Sequence, residues 1–273
     1  MATLISNVMN SERRRIRIGQ NSGREVRIGL ALGGGFARGI GHAGVLRVFE
    51  REGIPIHAIS GVSSGAIAAA AFASGCSSVE IERTALVAEL ASVEGLGAFV
   101  LALLKQTNFE DMRVPLAIVA SDLTAGAPVI FKEKGDVLMP IRASCAYPGI
   151  FPPVRYMNHC LVDGMVAMDV PAAPLRRMGA THVVSVVLPP TELTDPQSFQ
   201  SVVQRSFQVM TARNGSHWRR SSDIVISPDV RDPGCSTGWT SRDAAHEMVE
   251  AGVRAAEAVL PQIMRWMSSA EAA

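Results

Sequence analysis

Ser63 stands in Gly61-Val62-Ser63-Ser64-Gly65, with one glycine two places before it and another two places after. A residue carried on a sharp bend between a strand and a helix crowds the backbone two positions away, where a Cβ would clash. Such a bend lifts the serine hydroxyl off the sheet edge and points the positive end of the next helix at it. That is the placement of a nucleophile, with Gly61 and Gly65 as the glycines of its elbow. Ser64 reads differently, as a helix-start residue that satisfies a free N–H.

Acyl transfer from such a serine needs an oxyanion site and a base. Gly33, Gly34 and Gly35 open the run "GGGFARG" (33–39) and join a strand to a helix start. Their N–H groups suit a developing oxyanion, and Arg38 adds positive charge there. The same region contains "GIGHAG" (39–44), which fits a dinucleotide fingerprint as text and keeps a nucleotide-binding reading open. Those glycines fall inside the predicted helix, however, and Ser63 and Ser64 occupy the place of the acidic ribose partner.

Six histidines are spread along the chain, and none stands in a loop that marks a catalytic triad. His42 and His57 read as packing residues. Asp163, in "LVDGM", ends a hydrophobic strand and precedes a glycine, which sets its carboxylate at the same sheet edge as Ser63. A buried carboxylate of raised pKa can take the serine proton directly.

The elements that must position these groups alternate. "VRIGLAL" (26–32) and "IPIHAIS" (54–60) read as buried strands, each followed by a helix, and short links between them imply a parallel sheet covered on both faces. A helix is predicted over 77–95 with a cap at Ser77 or Ser78, then two neighbouring strands around "TAGA". Further strands follow at 160–166, 181–188 and 223–228, with a terminal helix over 241–268. Residues 189–222 read as a polar, mobile connection. The organisation is a flexible basic N-terminal arm (1–24) and one domain (25–273).

Composition bounds the function. Hydrophobic residues make up 48% and charged residues 19%, with a net charge of +1, so nothing in the global balance asks for nucleic acid. The four cysteines show no metal-ligand or disulfide spacing, which fits a reducing, cytoplasmic setting. No apolar run reaches the ~20 residues of a membrane span. Access to lipid would therefore be transient and peripheral, through the stretch 95–104, the basic arm, or both.

"GGGFARG", "GVSSG", "RASCAYPGIFPPV" (142–154) and "LVDGM" occur in the order and rough spacing of the patatin-like phospholipases, and the chain resembles their compact bacterial members. The resemblance implies a three-layer α/β/α sandwich with a central, mostly parallel sheet. It also implies a Ser–Asp dyad of Ser63 and Asp163, with the glycine loop and Arg38 as oxyanion site. On that reading the chain is a serine acyl hydrolase of lipid or lysophospholipid esters, working through an acyl-enzyme with no metal or organic cofactor. Two positions depart from the family. Met165 replaces the small residue usual after Asp-Gly, and Asp169 stands where an asparagine is common. Met165 favours the alternative of a catalytically weak or inactive lipid-binding or effector protein on the same fold.

Overall fold

The computed structural model describes residues 25–86, 93–189, 195–230 and 242–271. The basic arm and Cys235 lie outside the described residues. All five residues of β1 (Ile28–Leu32) are buried, as a strand that is apolar on both faces requires. β2 (Ala58–Val62), β3 (Leu116–Asp122), β7 (His182–Val186) and β8 (Ile224–Ile226) run parallel to it, in the spatial order β3-β2-β1-β7-β8. β4 (Ala127–Lys132) folds back on β3 as the hairpin around "TAGA". β6 (His159–Asp163) is antiparallel to β3, and β5 (Val154–Tyr156) is antiparallel to β6. The eight-stranded, mostly parallel sheet matches the expected fold class.

Helices cover both faces. α1 (Gly41–Arg51) and α2 (Ser64–Ser74) enter the larger core, where Leu30, Leu32 and Ile59 meet Leu46, Phe49 and the alanines of α2. The predicted helix over 77–95 is replaced by two, α3 (Ser78–Ala85) and α4 (Val93–Leu103), with 87–92 outside the described residues. Ser77 caps α3, and Glu80 completes a capping box. Leu96, Val100 and Leu103 of α4 are buried in the core, while Leu101 is exposed. α5 (Leu138–Ser144) runs into "RASCAYPGIFPPV", whose last residue begins β5.

On the opposite face, α6 (Ala172–Arg177) lays Ala172 and Leu175 against Ala31, Ala58 and Val183 of the sheet. The stretch read as a mobile connection contains α7 (Phe199–Asn214) and a 3₁₀ segment over Gly215–Ser221. α8 (Arg242–Glu271) returns to α1, and Gly41, Gly44 and Gly252 let the two helices touch backbone to backbone. A Cβ on Gly44 would sit 1.9 Å from the Val249 carbonyl oxygen. Two glycines of "GIGHAG" are thus taken up by helix packing, and the third, Gly39, lies against Ser64. Among the described residues no helix is long and apolar enough to cross a membrane.

Candidate active site

β2 reaches Val62 opposite Val119, and β6 reaches Asp163 opposite Ala120, the next residue of β3. β4 occupies the other edge of β3 along the same residues, so β2 and β6 meet end to end. This topology brings Ser63, the first residue past β2, against Asp163, the last of β6. Gly164 makes the junction possible, because a Cβ there would lie 2.3 Å from the Val119 oxygen and 2.4 Å from Val62 Cγ2.

Ser63 has φ 54° and ψ −127°, a conformation that costs about 1–3 kcal/mol for a residue with a side chain. The neighbourhood over-determines it. Its backbone N–H donates to Ser144 Oγ over 2.8 Å, and Ser144 Oγ donates to the Val119 carbonyl over 2.6 Å. The Ser63 carbonyl accepts from Ala66 N–H, starting α2 at once. A Cβ on Gly61 would sit 2.3 Å from the Gly65 oxygen, and one on Gly65 would sit 2.2 Å from the Leu32 oxygen. Both elbow glycines are therefore demanded by space. Ser64 caps nothing: its hydroxyl is buried without a hydrogen-bond partner, and Ser63 holds the cap position.

Asp163 is fully buried. Oδ1 accepts from Met165 N–H over 2.9 Å, which fixes the carboxylate plane. Burial lifts the pKa to about 7, while the Met165 N–H and the Ser63 hydroxyl pull it back. The Ser63 hydroxyl is near enough to act on the charge, yet Oδ2 has no aligned hydrogen bond and remains a buried acceptor. Ser121 Oγ braces the turn that follows, donating to the Gly164 carbonyl and accepting from Ala167 N–H. The arrangement is a carboxylate poised between its charge states beside a strained serine. It can accept a proton.

The glycine loop divides its donors. Gly33 N–H goes to the Val186 carbonyl over 2.9 Å, and Gly34 N–H goes to the Asp169 carbonyl over 3.3 Å. Gly35 N–H has no backbone acceptor among the described residues. A Cβ on Gly34 would lie 3.2 Å from Ser63 Cβ, so the loop passes directly beside the serine. Arg38 is buried and donates to the carbonyls of Gly35 and Pro189, bracing the loop from behind.

Three histidines are engaged elsewhere. His159 pairs with Asp122, His246 lies by Glu82, and His182 stacks near Trp266. His42 alone reaches the site. Its Nε2 must carry a proton, because its partner 2.8 Å away is the Gly33 carbonyl. Burial holds its pKa down at about 4, with the Gly33 bond opposing, so it stays neutral and supports the loop.

Three residues at this site escaped the sequence reading of its chemistry: Ser144, His42 and Tyr147. Burial pushes the Tyr147 hydroxyl up to about 12, the Asp163 carboxylate adds to the shift, and Arg38 opposes it. Its ring meets Phe36 with centroids 4.6 Å apart. Nothing local distinguishes Ser144 in "RASCAYPG"; only the fold sets it under Ser63. Cys145 is buried beside Asp163, which with burial raises its thiol pKa well above the ordinary value and keeps it protonated.

A groove opens beside the Asp163 turn, walled by Met165, Met168 and Asp169 on one side and Phe207 and Met210 of α7 on the other. Met165 Sδ fills the space over Gly34, where a Cβ would approach it to 2.3 Å. Burial raises the Asp169 pKa to about 6, and its Oδ2 accepts from Trp218 Nε1 over 3.3 Å.

Comparison with known proteins agrees with this fold. The family model described as patatin-like phospholipase matches residues 30–97 and 81–176, together more than half of the chain. Lysophospholipase NTE1 of Mycosarcoma maydis is 26% identical over 223 residues, covering 75% of this chain and 12% of that protein. An uncharacterised NTE family protein of Mycobacterium bovis is 31% identical over 177 residues, covering 59% of this chain and 49% of that one. The chain thus spans half or less of the length of these relatives. The crystal structure of VipD from Legionella pneumophila shares the fold, with a TM-score of 0.58 at 13% identity over 94% of this chain and 72% of that one.

Proposed function

Because the chain belongs to the patatin-like phospholipase family, we propose that it is a serine acyl hydrolase that cleaves acyl esters of lipids or lysophospholipids. The observation that carries the reading is the buried Asp163, its Oδ2 unpartnered, set against Ser63 on a strained bend. Ser63 Oγ gives its proton to Asp163 and attacks the ester carbonyl. The carbonyl oxygen becomes an oxyanion that accepts from Gly35 N–H, the loop donor that no backbone carbonyl takes. The alcohol leaves with the proton held by Asp163, and the acyl group stays on Ser63. Water then gives a proton to Asp163 and attacks the acyl-enzyme, which releases the fatty acid and restores both residues.

In this account Gly33, Gly34 and Arg38 position the loop rather than contact the oxyanion. The methionine-lined groove suits an acyl chain, since flexible thioether side chains adapt to chains of different length. The chain would meet its substrate peripherally, at a membrane surface. Release of fatty acid from a lysophospholipid, and of nitrophenol from a short-chain ester, tests the reading. Both activities should be present and absent in Ser63→Ala. Lipid binding with no turnover of either substrate would replace it by the non-catalytic lipid-binding reading, which Met165 over Gly34 favours.

A further inference from the structure

α7 turns its apolar side to solvent. Phe199, Val202, Val209 and Met210 are 86%, 46%, 42% and 55% exposed, and exposed Ser206 lies between them. The spacing 199, 202, 206, 209, 210 is one stripe of a helix with 3.6 residues per turn. A helix on a globular surface ordinarily turns such a stripe to the core and its polar residues outward. Here the half-buried positions include Gln204, Arg205 and Gln208, while Phe207 turns in to Tyr147. A contiguous apolar patch of this kind marks an interaction surface.

Between the flanking Asp195 and Asp223 the sequence of the helix and its 3₁₀ extension carries charge of one sign. From Pro196 to Ser222 the sequence has no aspartate or glutamate, and it has four arginines, Arg205, Arg213, Arg219 and Arg220. Arg219 and Arg220 are exposed just past the helix, and the Arg219 guanidinium lies 4.6 Å from the Trp218 ring centroid. An apolar stripe followed by exposed arginines matches the headgroup and acyl layers of an anionic bilayer. Position adds a second argument. Met210 belongs both to the stripe and to the wall of the groove that begins at Met165, two residues past Asp163.

We propose that the outward face of α7 is the surface by which this chain sits on an anionic phospholipid membrane. The groove then opens at the membrane plane, and an acyl chain passes Met210 and Phe207 to Ser63 without crossing water. The passage of substrate rests on the hydrolase reading above; the binding surface does not.

Co-sedimentation of the full chain with vesicles of phosphatidylglycerol and phosphatidylcholine, run in the Ser63→Ala background, reads binding without turnover. The expected result is binding that a Val202→Asp/Val209→Asp pair weakens at least about tenfold at unchanged melting temperature. A pair Arg219→Glu/Arg220→Glu should remove the preference for phosphatidylglycerol over pure phosphatidylcholine, at about fivefold per charge. Vesicles that do not bind the parent, or that bind the Val202→Asp/Val209→Asp pair equally well, would overturn the proposal. So would a parent dimer that this pair converts to monomer, since the stripe would then belong to a second copy of the chain. Absence of ester turnover in the unmutated chain would defeat the hydrolase reading alone and leave this measurement intact.

Discussion

The backbone N–H of Ser63 donates to Ser144 Oγ, which itself donates to the Val119 carbonyl, so the bend at Ser63 is tied to β3 through one buried hydroxyl. The bend is a strained conformation, and the tie fixes where Ser63 Oγ points. Ser144→Ala leaves the Ser63 N–H buried and unpaired, a loss of about 1–3 kcal/mol in stability. It should lower kcat by about tenfold to a hundredfold with KM little changed. Ser144→Cys, which keeps a weak acceptor, should recover part of kcat. A Ser144→Ala enzyme that melts lower but turns over normally would show that the tie serves folding alone.

The second expectation concerns pH. The folded pKa of Asp163 is raised from its ordinary value to about 7, so the folded state favours the neutral acid. Its contribution to stability is complete below the unfolded pKa near 3.8 and is lost as pH rises to 7. The full swing is on the order of 4 kcal/mol. Asp163→Asn should therefore melt higher than the parent at pH 8.5 and close to it at pH 3.5, by scanning fluorimetry. Activity runs the other way, rising as one group of pKa about 7 loses its proton. A profile governed by a group near pH 4 would contradict the assignment of Asp163 as base.

His42 separates a dyad from a triad. It is buried, neutral and bonded to the Gly33 carbonyl, so its work is to hold the glycine loop. His42→Ala should reduce kcat, and His42→Gln, which offers an N–H but no base of suitable pKa, should restore a good part of it. The other five His→Ala variants should keep substantial activity wherever they fold. A triad histidine behaves otherwise, with losses of several orders of magnitude on substitution.

Arg38 is expected to act through the loop. Its guanidinium donates to the Gly35 and Pro189 carbonyls, and the Gly35 N–H has no backbone acceptor among the described residues. Removal of a direct oxyanion donor typically lowers turnover ~10²–10³-fold. Arg38→Ala should fall short of that, lowering kcat more than it raises KM, with partial recovery in Arg38→Lys. An increase in KM alone would make Arg38 a contact for the lipid head group.

The strands of the parallel sheet, the two helices after the glycine turns and the placement of Ser63 and Asp163 at one sheet edge were legible because they rest on local rules. Apolar runs bounded by glycine make buried strands, and the Gly61 and Gly65 spacing is a steric statement about Ser63 itself. Ser144, His42 and Tyr147 were not legible in the same way. Ser144 and Tyr147 acquire their places from contacts across the chain, such as the 81 residues between Ser63 and Ser144. His42, bonded to Gly33 nine residues away, sits on an apolar helix face and reads as a packing residue. α7 was missed for another reason. Its apolar residues face outward, so its pattern is not that of a helix seeking a core, and the polar residues around it read as a connection. The helix expected over 77–95 took in the whole of α3 and the start of α4, because the apolar residues continue from one to the other.

Fluorophosphonate labelling followed by mapping of the modified peptide tests the central claim most directly. The reagent reports an activated serine and needs no knowledge of the head group or chain length. The account predicts a single adduct on Ser63, absent in Ser63→Ala, strongly slowed in Asp163→Asn, and formed at near-parental rate in Ser64→Ala. An adduct on Ser64 or Ser144, or labelling at full rate in a folded Asp163→Asn, would contradict it.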